Sequence, residues 1–228
     1  MADPPLVTDI DGTLTNDALI LDPRVGEVLR AWSGPVVLAT GKVLPFPIAL
    51  CNYLGLDRTV IAENGGVSFV EGSDAIHYDG DRERAQAVAE EYVGAGYDLG
   101  WGEVDLVNRW RETEVAVAHD APVEPLREIA ASHGLEVVDT GYAYHVKSPE
   151  MSKGSALESV ASSLGRDPAA FVAVGDSQND VSTFRRAGTA IAVANADTAA
   201  IDAADHVTDA AFADGFLEAL DHVRSGAF

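Results

Sequence analysis

Short apolar runs that end abruptly in polar residues or glycine constrain the fold of this chain more than any other feature. Each run is four or five residues long, which suits a buried strand and is too short for a buried helix. Helical patterns separate the runs, and this alternation is typical of a parallel sheet covered by helices on both faces. The clearest runs are 6–9, 35–39, 59–62 and 171–174.

One long segment interrupts the alternation. Between about 81 and 148 the pattern changes to two helices, an irregular Gly- and Trp-containing stretch and several strands. This order predicts a small α+β unit inserted into the main sheet. We therefore predict an α/β fold with a Rossmann-like core at 1–80 and 149–228 and an inserted domain at 81–148, and two short helices should close the chain.

Polar side chains follow several of the predicted strands. Ligands of open α/β sheets bind at the carboxyl ends of the strands, so these side chains should converge. Clustered carboxylates raise one another's pKa unless a cation compensates, and an oxygen-only set without histidine or cysteine favours Mg²⁺ over zinc. The residues concerned are Asp9 and Asp11, Thr40 and Gly41, Glu63-Asn64-Gly65, and Asp176, Asn179 and Asp180.

These residue types suit cleavage of a phosphate ester. Asp9 could attack phosphorus and form an acyl phosphate, while Asp11 could protonate the leaving oxygen and later activate water. Thr40 could hydrogen-bond the transferred group, and Lys153, at a helix start, could supply positive charge. Lysine is scarce in this chain, but we expect the other two, Lys42 and Lys147, to be surface residues.

The four polar segments together resemble the motifs of the haloacid dehalogenase superfamily, in its Cof-type phosphatase branch. The matching segments are Asp9-Ile10-Asp11-Gly12-Thr13, Thr40, Lys153 within 151–154, and 175–180. The resemblance implies that 81–148 is an α+β cap. It also implies that Asp9 is the nucleophile and a Mg²⁺ ligand, that Asp11 is the acid/base and binds the metal through its backbone carbonyl, and that Asp176 and Asp180 complete the metal site. The substrate-binding residues that it implies are Thr40, Gly41, Lys153 and Asn179.

A closer resemblance, carried by 39–46, 62–66 and 108–113, is to archaeal phosphoglycolate phosphatases. It implies 2-phosphoglycolate as the substrate, with a sugar or polyol phosphate as the alternative. Lys42 stands where that family usually has asparagine. A phospho-accepting receiver domain is the non-enzyme alternative, although such domains are about half this length.

The inserted segment should select the leaving group. Arg109 and Arg111 are candidates to bind a substrate carboxylate, because arginine pairs with carboxylates through two hydrogen bonds. Each of the two, taken alone, fits a salt-bridged surface arginine better. The histidines, including His119 and His145, are expected to be structural or exposed.

Charge limits the classes of partner. The chain has 37 acidic and 15 basic residues, a net charge of −22 that repels nucleic acid and anionic membranes. This balance resembles proteins of extreme halophiles. The absence of a signal peptide and of an apolar run near ~20 residues, together with a lone cysteine, Cys51, predicts a cytoplasmic protein. The expected partner is a small phosphorylated metabolite, and a homodimer is left open.

Overall fold

The computed structural model describes residues 2–227. Its strands are β1 (Leu6–Asp9), β2 (Val36–Ala39), β3 (Val60–Ala62), β4 (Val67–Phe69), β5 (His77–Tyr78), β6 (Val115–Val117), β7 (Glu136–Asp139), β8 (Tyr144–Lys147), β9 (Val172–Gly175), β10 (Thr189–Ala192) and β11 (His206–Val207). Its helices are α1 (Pro23–Arg30), α2 (Pro45–Leu54), α3 (Arg82–Gly94), α4 (Val123–Ser132), α5 (Lys153–Ser163), α6 (Val181–Phe184), α7 (Thr198–Ala203) and α8 (Phe212–Ser225). Short 3-10 turns lie at Glu63–Gly65, Pro168–Ala170 and Gln178–Asp180.

An eight-stranded sheet forms the centre of the molecule, in the order β11-β10-β9-β1-β2-β3-β4-β5. β1 pairs in parallel with β2 on one side and with β9 on the other, so Leu6 lies opposite both Val36 and Val172. The hairpin of β4 and β5 closes one edge in antiparallel orientation. The predicted α/β fold is therefore confirmed, with a parallel sheet from β11 to β3 and the hairpin of β4 and β5 as an antiparallel edge.

Successive residues of β1 pack into opposite layers of the core. Leu6 belongs to a cluster with Leu29 of α1 and Phe216 of α8. Its neighbour Val7 belongs to a second cluster with Leu157 of α5. Because side chains alternate across a strand, helices on both faces require an apolar residue at every position, which explains why the central strands are continuous apolar runs.

A separate three-stranded antiparallel sheet, in the order β6-β8-β7, carries α3 and α4. It has a core of its own, in which Val88 and Tyr92 of α3 pack with Leu126 of α4, Val117 and Val146. We call this unit of α3, α4 and β6–β8 the cap. The small α+β insert expected from the sequence is present, while its limits at 81 and 148 stay a prediction.

The connection between the cap and the large sheet is crowded around two glycines. A Cβ atom at Gly80 would lie 2.5 Å from the Cβ of Thr113 and 3.0 Å from the sulfur of Met151. A Cβ atom at Gly66, in the turn before β4, would lie 2.6 Å from the same sulfur. Both positions therefore need glycine so that the crossing segments can approach this closely.

The end of the chain differs in two respects from the sequence prediction. α7 is short, as expected, but α8 runs from Phe212 to Ser225 and buries Phe216 and Leu220 against the central sheet. The two-residue strand β11 also lies between these helices. Among residues 2–227 no helix has the length and apolar character needed to cross a bilayer.

Candidate active site

Three carboxylates meet at the carboxyl edge of the central sheet. Asp9 ends β1, Asp176 follows β9, and Asp180 ends the 3-10 turn after it. Each offers an oxygen atom, and these oxygens lie within 4.8 Å of one another. The parallel register of β1 and β9 produces this convergence, because adjacent parallel strands end at the same edge.

The three carboxylates fit a divalent cation. The Oδ2 atom of Asp9 is buried without a hydrogen-bond partner, whereas the Oδ2 atom of Asp180 accepts 3.1 Å hydrogen bonds from the backbone N–H groups of Asp176 and Ser177. A buried carboxylate oxygen without a partner is costly, and a cation bound to it would remove that cost. An all-oxygen set of this kind suits Mg²⁺.

The pKa shifts of these carboxylates in the protein alone also favour a bound cation. Burial, together with the nearby charges of Asp180 and Asp176, raises the pKa of Asp9 well above its usual range despite the opposing charge of Lys153. Burial and then the charge of Asp180 raise the pKa of Asp176 to about 7. A bound cation would favour the ionised form of both groups.

Lys153 contacts the carboxylates from the interior of the protein. It is fully buried at the start of α5, where Ser152 caps the helix. Its Nζ atom donates to Asp9 Oδ1 at 2.6 Å, Asp180 Oδ1 at 2.7 Å and Asn179 Oδ1 at 2.9 Å. Burial alone would lower the pKa of Lys153, but the charges of Asp180 and Asp9 raise it above its usual value.

An ammonium group has three donors, and these three acceptors use all of them. In this arrangement Lys153 orients Asp9. The phosphate contact implied by the resemblance would have to replace one of the three hydrogen bonds, and that contact stays a prediction.

The second motif lies beside the first. Thr40 is buried, and its hydroxyl oxygen accepts a 3.0 Å hydrogen bond from the backbone N–H of Lys42. The side chain of Lys42 pairs with Asp11, so this lysine belongs to the site and is not simply a surface residue. The carboxylate of Asp11 is not part of the three-carboxylate cluster, and its metal contact through the backbone carbonyl stays a prediction.

A cavity of about 610 Å³ lies between this edge and the cap. The core contributes Asp9, Asp11, Gly41, Lys42, Asp176 and Asn179 to its wall, and the cap contributes Leu106, Val107, Arg111, Thr140, Tyr142 and His145. Thr40, Lys153 and Asp180 are buried behind the wall. Most of the residues singled out from the sequence therefore surround one cavity or support its wall.

The cap side of the cavity holds a polar cluster centred on Glu114, a residue that the sequence did not single out. Arg111 and His145 line the cavity, and both bond the carboxylate of Glu114, which is fully buried between them. Burial raises the pKa of Glu114, but the charges of His145 and Arg111 and their hydrogen bonds outweigh it and lower the pKa to about 2. Glu114 is therefore ionised over the physiological range.

The two candidate arginines have different surroundings. Arg111 is buried and donates a 3.0 Å hydrogen bond to the carbonyl of Gly41 in addition to its pairing with Glu114. Arg109 is exposed, with its guanidinium 6.0 Å from the ring centre of Trp110. The expectation of a surface ion pair is therefore wrong for Arg111.

One further sequence expectation concerns a side chain away from the cavity. Lys147 was expected at the surface but is buried, and its Nζ atom bonds Glu136 at 2.7 Å and the carbonyl of Met151 at 2.5 Å. It stabilises the junction between cap and core.

Comparisons with known proteins agree with this geometry. The family model described as haloacid dehalogenase-like hydrolase matches residues 6–92 and 128–220. A phosphoglycolate phosphatase of Haloarcula marismortui is 60% identical over 217 residues, covering 95% of this chain and 96% of its own. One of Natronomonas pharaonis is 60% identical over 220 residues, with 96% and 97% covered.

A solved structure from Thermoplasma acidophilum superimposes with a TM-score of 0.84 at 25% identity and covers 98% of this chain and 99% of its own. The family and the relatives together identify the activity as hydrolysis of a phosphoric monoester. The chain belongs to the haloacid dehalogenase-like hydrolase family.

Proposed function

We propose that this protein is a Mg²⁺-dependent phosphatase that uses Asp9 as a nucleophile and acts on 2-phosphoglycolate. The observation that carries the mechanism is the position of Asp9. Its carboxylate lines the cavity, its Oδ1 atom is held by Lys153, and its Oδ2 atom lacks a hydrogen-bond partner beside two further carboxylates. Such a group is oriented, partly desolvated and placed where a phosphate ester would bind.

Asp9, Asp176 and Asp180 would hold the metal through their side chains, with the backbone carbonyl of Asp11 as the ligand implied by the resemblance. Bound Mg²⁺ would supply charge neutralisation for the substrate phosphate.

The reaction proceeds in two displacements. A carboxylate oxygen of Asp9 attacks phosphorus, the ester P–O bond breaks, and the electron pair leaves with the alcohol oxygen, which takes a proton from Asp11. Asp11 then removes a proton from water as the water oxygen attacks the aspartyl phosphate. Inorganic phosphate leaves, and the carboxylate of Asp9 is restored. Asp11 lines the cavity, as both of its roles require.

The mechanism is tested by replacing Asp9 with asparagine, which keeps the side-chain shape but is a far weaker nucleophile. Turnover of 2-phosphoglycolate should be lost while the thermal unfolding transition remains cooperative. The matched control is Asp17→Asn, since Asp17 is exposed and lies outside the cavity wall. Chelation of Mg²⁺ should stop wild-type turnover and added Mg²⁺ should restore it. Full activity of Asp9→Asn would exclude the covalent route.

The substrate is supported by the names of the relatives and by the cap wall. Two relatives at 60% identity are named phosphoglycolate phosphatase. Arg111 and His145 place a cation and a polar ring opposite Asp9, where the carboxylate of glycolate could be bound. A specific observation favours the alternative, a sugar or polyol phosphate: a cavity of about 610 Å³ leaves room for a larger leaving group.

Arg111→Ala separates these substrates. It should reduce kcat/KM for 2-phosphoglycolate far more than for an aryl phosphate, because the aryl ester has no carboxylate. The ratio of the two values does not depend on the folded fraction, so loss of protein stability cannot imitate the effect. Arg109→Ala, at the exposed arginine, is the control. An equal loss on both esters would assign Arg111 a structural role, and a panel with faster turnover of sugar phosphates would favour the alternative.

The charge of −22 supports activity in concentrated salt, and the relatives come from Haloarcula marismortui and Natronomonas pharaonis. The cytoplasmic location and the oligomeric state stay predictions. The receiver-type alternative is wrong, because the family match to a hydrolase covers both halves of the core.

A further inference from the structure

Asn64 occupies an unusual place between the cap and the catalytic edge. It follows β3 in a turn where Glu63 has φ +50° and Asn64 has φ +54°, so two successive residues other than glycine adopt the left-handed conformation. Such conformations are strained and persist only where surrounding contacts impose them. The side chain of Asn64 is buried and does not line the cavity.

Contacts with the cap hold this turn in place. The carboxylate of Glu63 accepts hydrogen bonds from the backbone N–H of Glu112 at 3.0 Å, and from the N–H and hydroxyl of Thr113 at 2.8 and 2.7 Å. On the other side, a Cβ atom at Gly65 would overlap the carbonyl of Ser152, directly before Lys153. The turn is therefore fixed between the segment directly before β6 of the cap and the start of α5.

The side chain of Asn64 links two polar groups that would otherwise be separate. Its amide nitrogen donates to the carboxylate of Glu114 at 3.2 and 3.3 Å, and its amide oxygen accepts from the amide nitrogen of Asn179 at 3.2 Å. The oxygen of Asn179 accepts from Lys153, which bonds Asp9. An unbroken series of hydrogen bonds thus runs from Glu114 in the cap to the nucleophile.

The two ends of this series fix the direction of every amide within it. Lys153 is only a donor, so Asn179 must turn its oxygen toward it and its NH₂ group toward Asn64. Glu114 is only an acceptor, so Asn64 must turn its NH₂ group toward the cap. His145 donates to Glu114 at 2.8 Å through Nδ1, so its 3.3 Å approach to Asn64 is a contact rather than a hydrogen bond.

We propose that Asn64 is a positioning residue that couples the leaving-group side of the cavity to the orientation of Asp9 through Asn179 and Lys153. The inference rests on the proposed function, because it assumes that Asp9 is the nucleophile. A substrate group that contacts Arg111 also fixes Glu114, and Glu114 fixes the amide series. Asn64 itself touches no substrate, so its loss should change kcat and leave KM nearly unchanged.

Two substitutions that exchange donor and acceptor test this inference. Asn64→Asp tolerates the left-handed backbone but puts a carboxylate against Glu114. Glu114→Gln keeps Oε1, which bonds Arg111 and His145 and lies 3.3 Å from the amide nitrogen of Asn64, but it replaces Oε2, the nearer acceptor at 3.2 Å, with an amide nitrogen. Each single variant therefore puts two like groups face to face and weakens the link between Asn64 and Glu114. In the double variant the new glutamine donates to the new aspartate, whose second oxygen still accepts from Asn179, and the net charge equals that of the wild type.

We expect each single variant to lower kcat for 2-phosphoglycolate by about tenfold, the effect of one lost charge-assisted hydrogen bond in the transition state. KM should change by less than about threefold, and the double variant should recover kcat to within about threefold of wild type. Rates are divided by the concentration of folded protein, from the amplitude of its cooperative unfolding transition, so a misfolded fraction does not count. The variant Asn64→Gly, which keeps the left-handed backbone, should show the same kcat loss without recovery by Glu114→Gln.

Wild-type kcat per folded molecule in both single variants would overturn the inference. So would a loss confined to KM, or a double variant no faster than the slower single one. A wild-type protein that releases no phosphate from either ester would overturn the proposed function, and the inference with it. The first three results leave the proposed function intact, so the two failures can be told apart.

Discussion

Replacing Lys153 with methionine should destabilise the metal-free protein severely. The ammonium group of Lys153 is fully buried and bonds Asp9 at 2.6 Å and Asp180 at 2.7 Å. Without it, two buried carboxylates face each other with no counter-charge. Removing one partner of a buried ion pair costs roughly 3–5 kcal/mol. For a chain of 228 residues, each kcal/mol lowers Tm by about 2–4 °C, so Tm should fall by roughly 6–20 °C.

The effect should depend on pH in a defined direction. Burial already raises the pKa of Asp9 well above its usual range, and loss of the Lys153 charge removes a group that lowers it. As pH falls, the carboxylates of the variant take up protons and their repulsion disappears. The difference in Tm between wild type and variant should therefore be larger at pH 8 than at pH 5.

The assay is differential scanning calorimetry of chelator-treated protein at both pH values in the same salt. Lys147→Met is the matched control, since Lys147 is also buried but its partner Glu136 is 42% exposed and can be solvated by water. The control should lose less stability and keep phosphatase activity, while Lys153→Met should lose activity. A Tm for Lys153→Met within about 2 °C of wild type at pH 8 would refute the reasoning.

Three other outcomes are expected. The pKa of Glu114 is lowered from 4.5 to about 2, so its contribution of about 3 kcal/mol to the free energy of unfolding is present above pH 4.5 and lost as pH falls toward 2. The free energy of unfolding in urea should therefore fall less between pH 6 and pH 3 in Glu114→Gln than in wild type, and an equal fall would contradict the shift. Gly65 has φ +103° and its Cβ position is occupied by the Ser152 carbonyl, so Gly65→Ala should lower the free energy of unfolding in denaturant by more than about 3 kcal/mol. Gly72 lies in open space, so Gly72→Ala should lower it by only about 1 kcal/mol, and equal losses would contradict the packing at Gly65. Transfer from molar KCl to dilute buffer should lower Tm because the charge of −22 is no longer screened, and an unchanged Tm would count against adaptation to salt.

The catalytic edge could be predicted because strand ends are visible in the sequence. Asp9 and Asp176 each follow a continuous apolar run, and parallel strands bring their carboxyl ends to one edge. Lys153 stood out because lysine is scarce. Its distance in sequence from Asp9 says nothing of contact, however, and its place behind Asp9 rather than toward the cavity follows only from the packing of α5.

The cap wall could not be predicted in the same way. Glu114 is one of 37 acidic residues, and nothing in its neighbours separates it from those at the surface. His145 lies within β8 between Tyr144 and Val146, where a buried histidine is a common structural residue. Their pairing depends on how β6 and β8 align and on how the cap meets the core. One available signal was Glu63-Asn64-Gly65, three polar or small residues directly after a buried strand at the catalytic edge.

The end of the chain shows the limit of periodicity. β11 has two residues, fewer than any apolar pattern can reveal. α8 is longer than predicted. Its acidic and apolar residues alternate at helical spacing, so the apolar stripe that it buries is narrow and indicates a long helix only weakly. The contact of Phe216 with the central sheet identifies the buried side of the helix.

The glycine-lined crossing at Gly66 and Gly80 limits how the two halves of the molecule can separate. Thr113 and Met151 fill the space that side chains would otherwise take, so these segments cannot slide past one another without collision. Rotation about the crossing is the movement that keeps these contacts. We therefore expect the cap to move relative to the core by rotation at Gly66 and Gly80, which would change the width of the cavity at cap residues such as Tyr142.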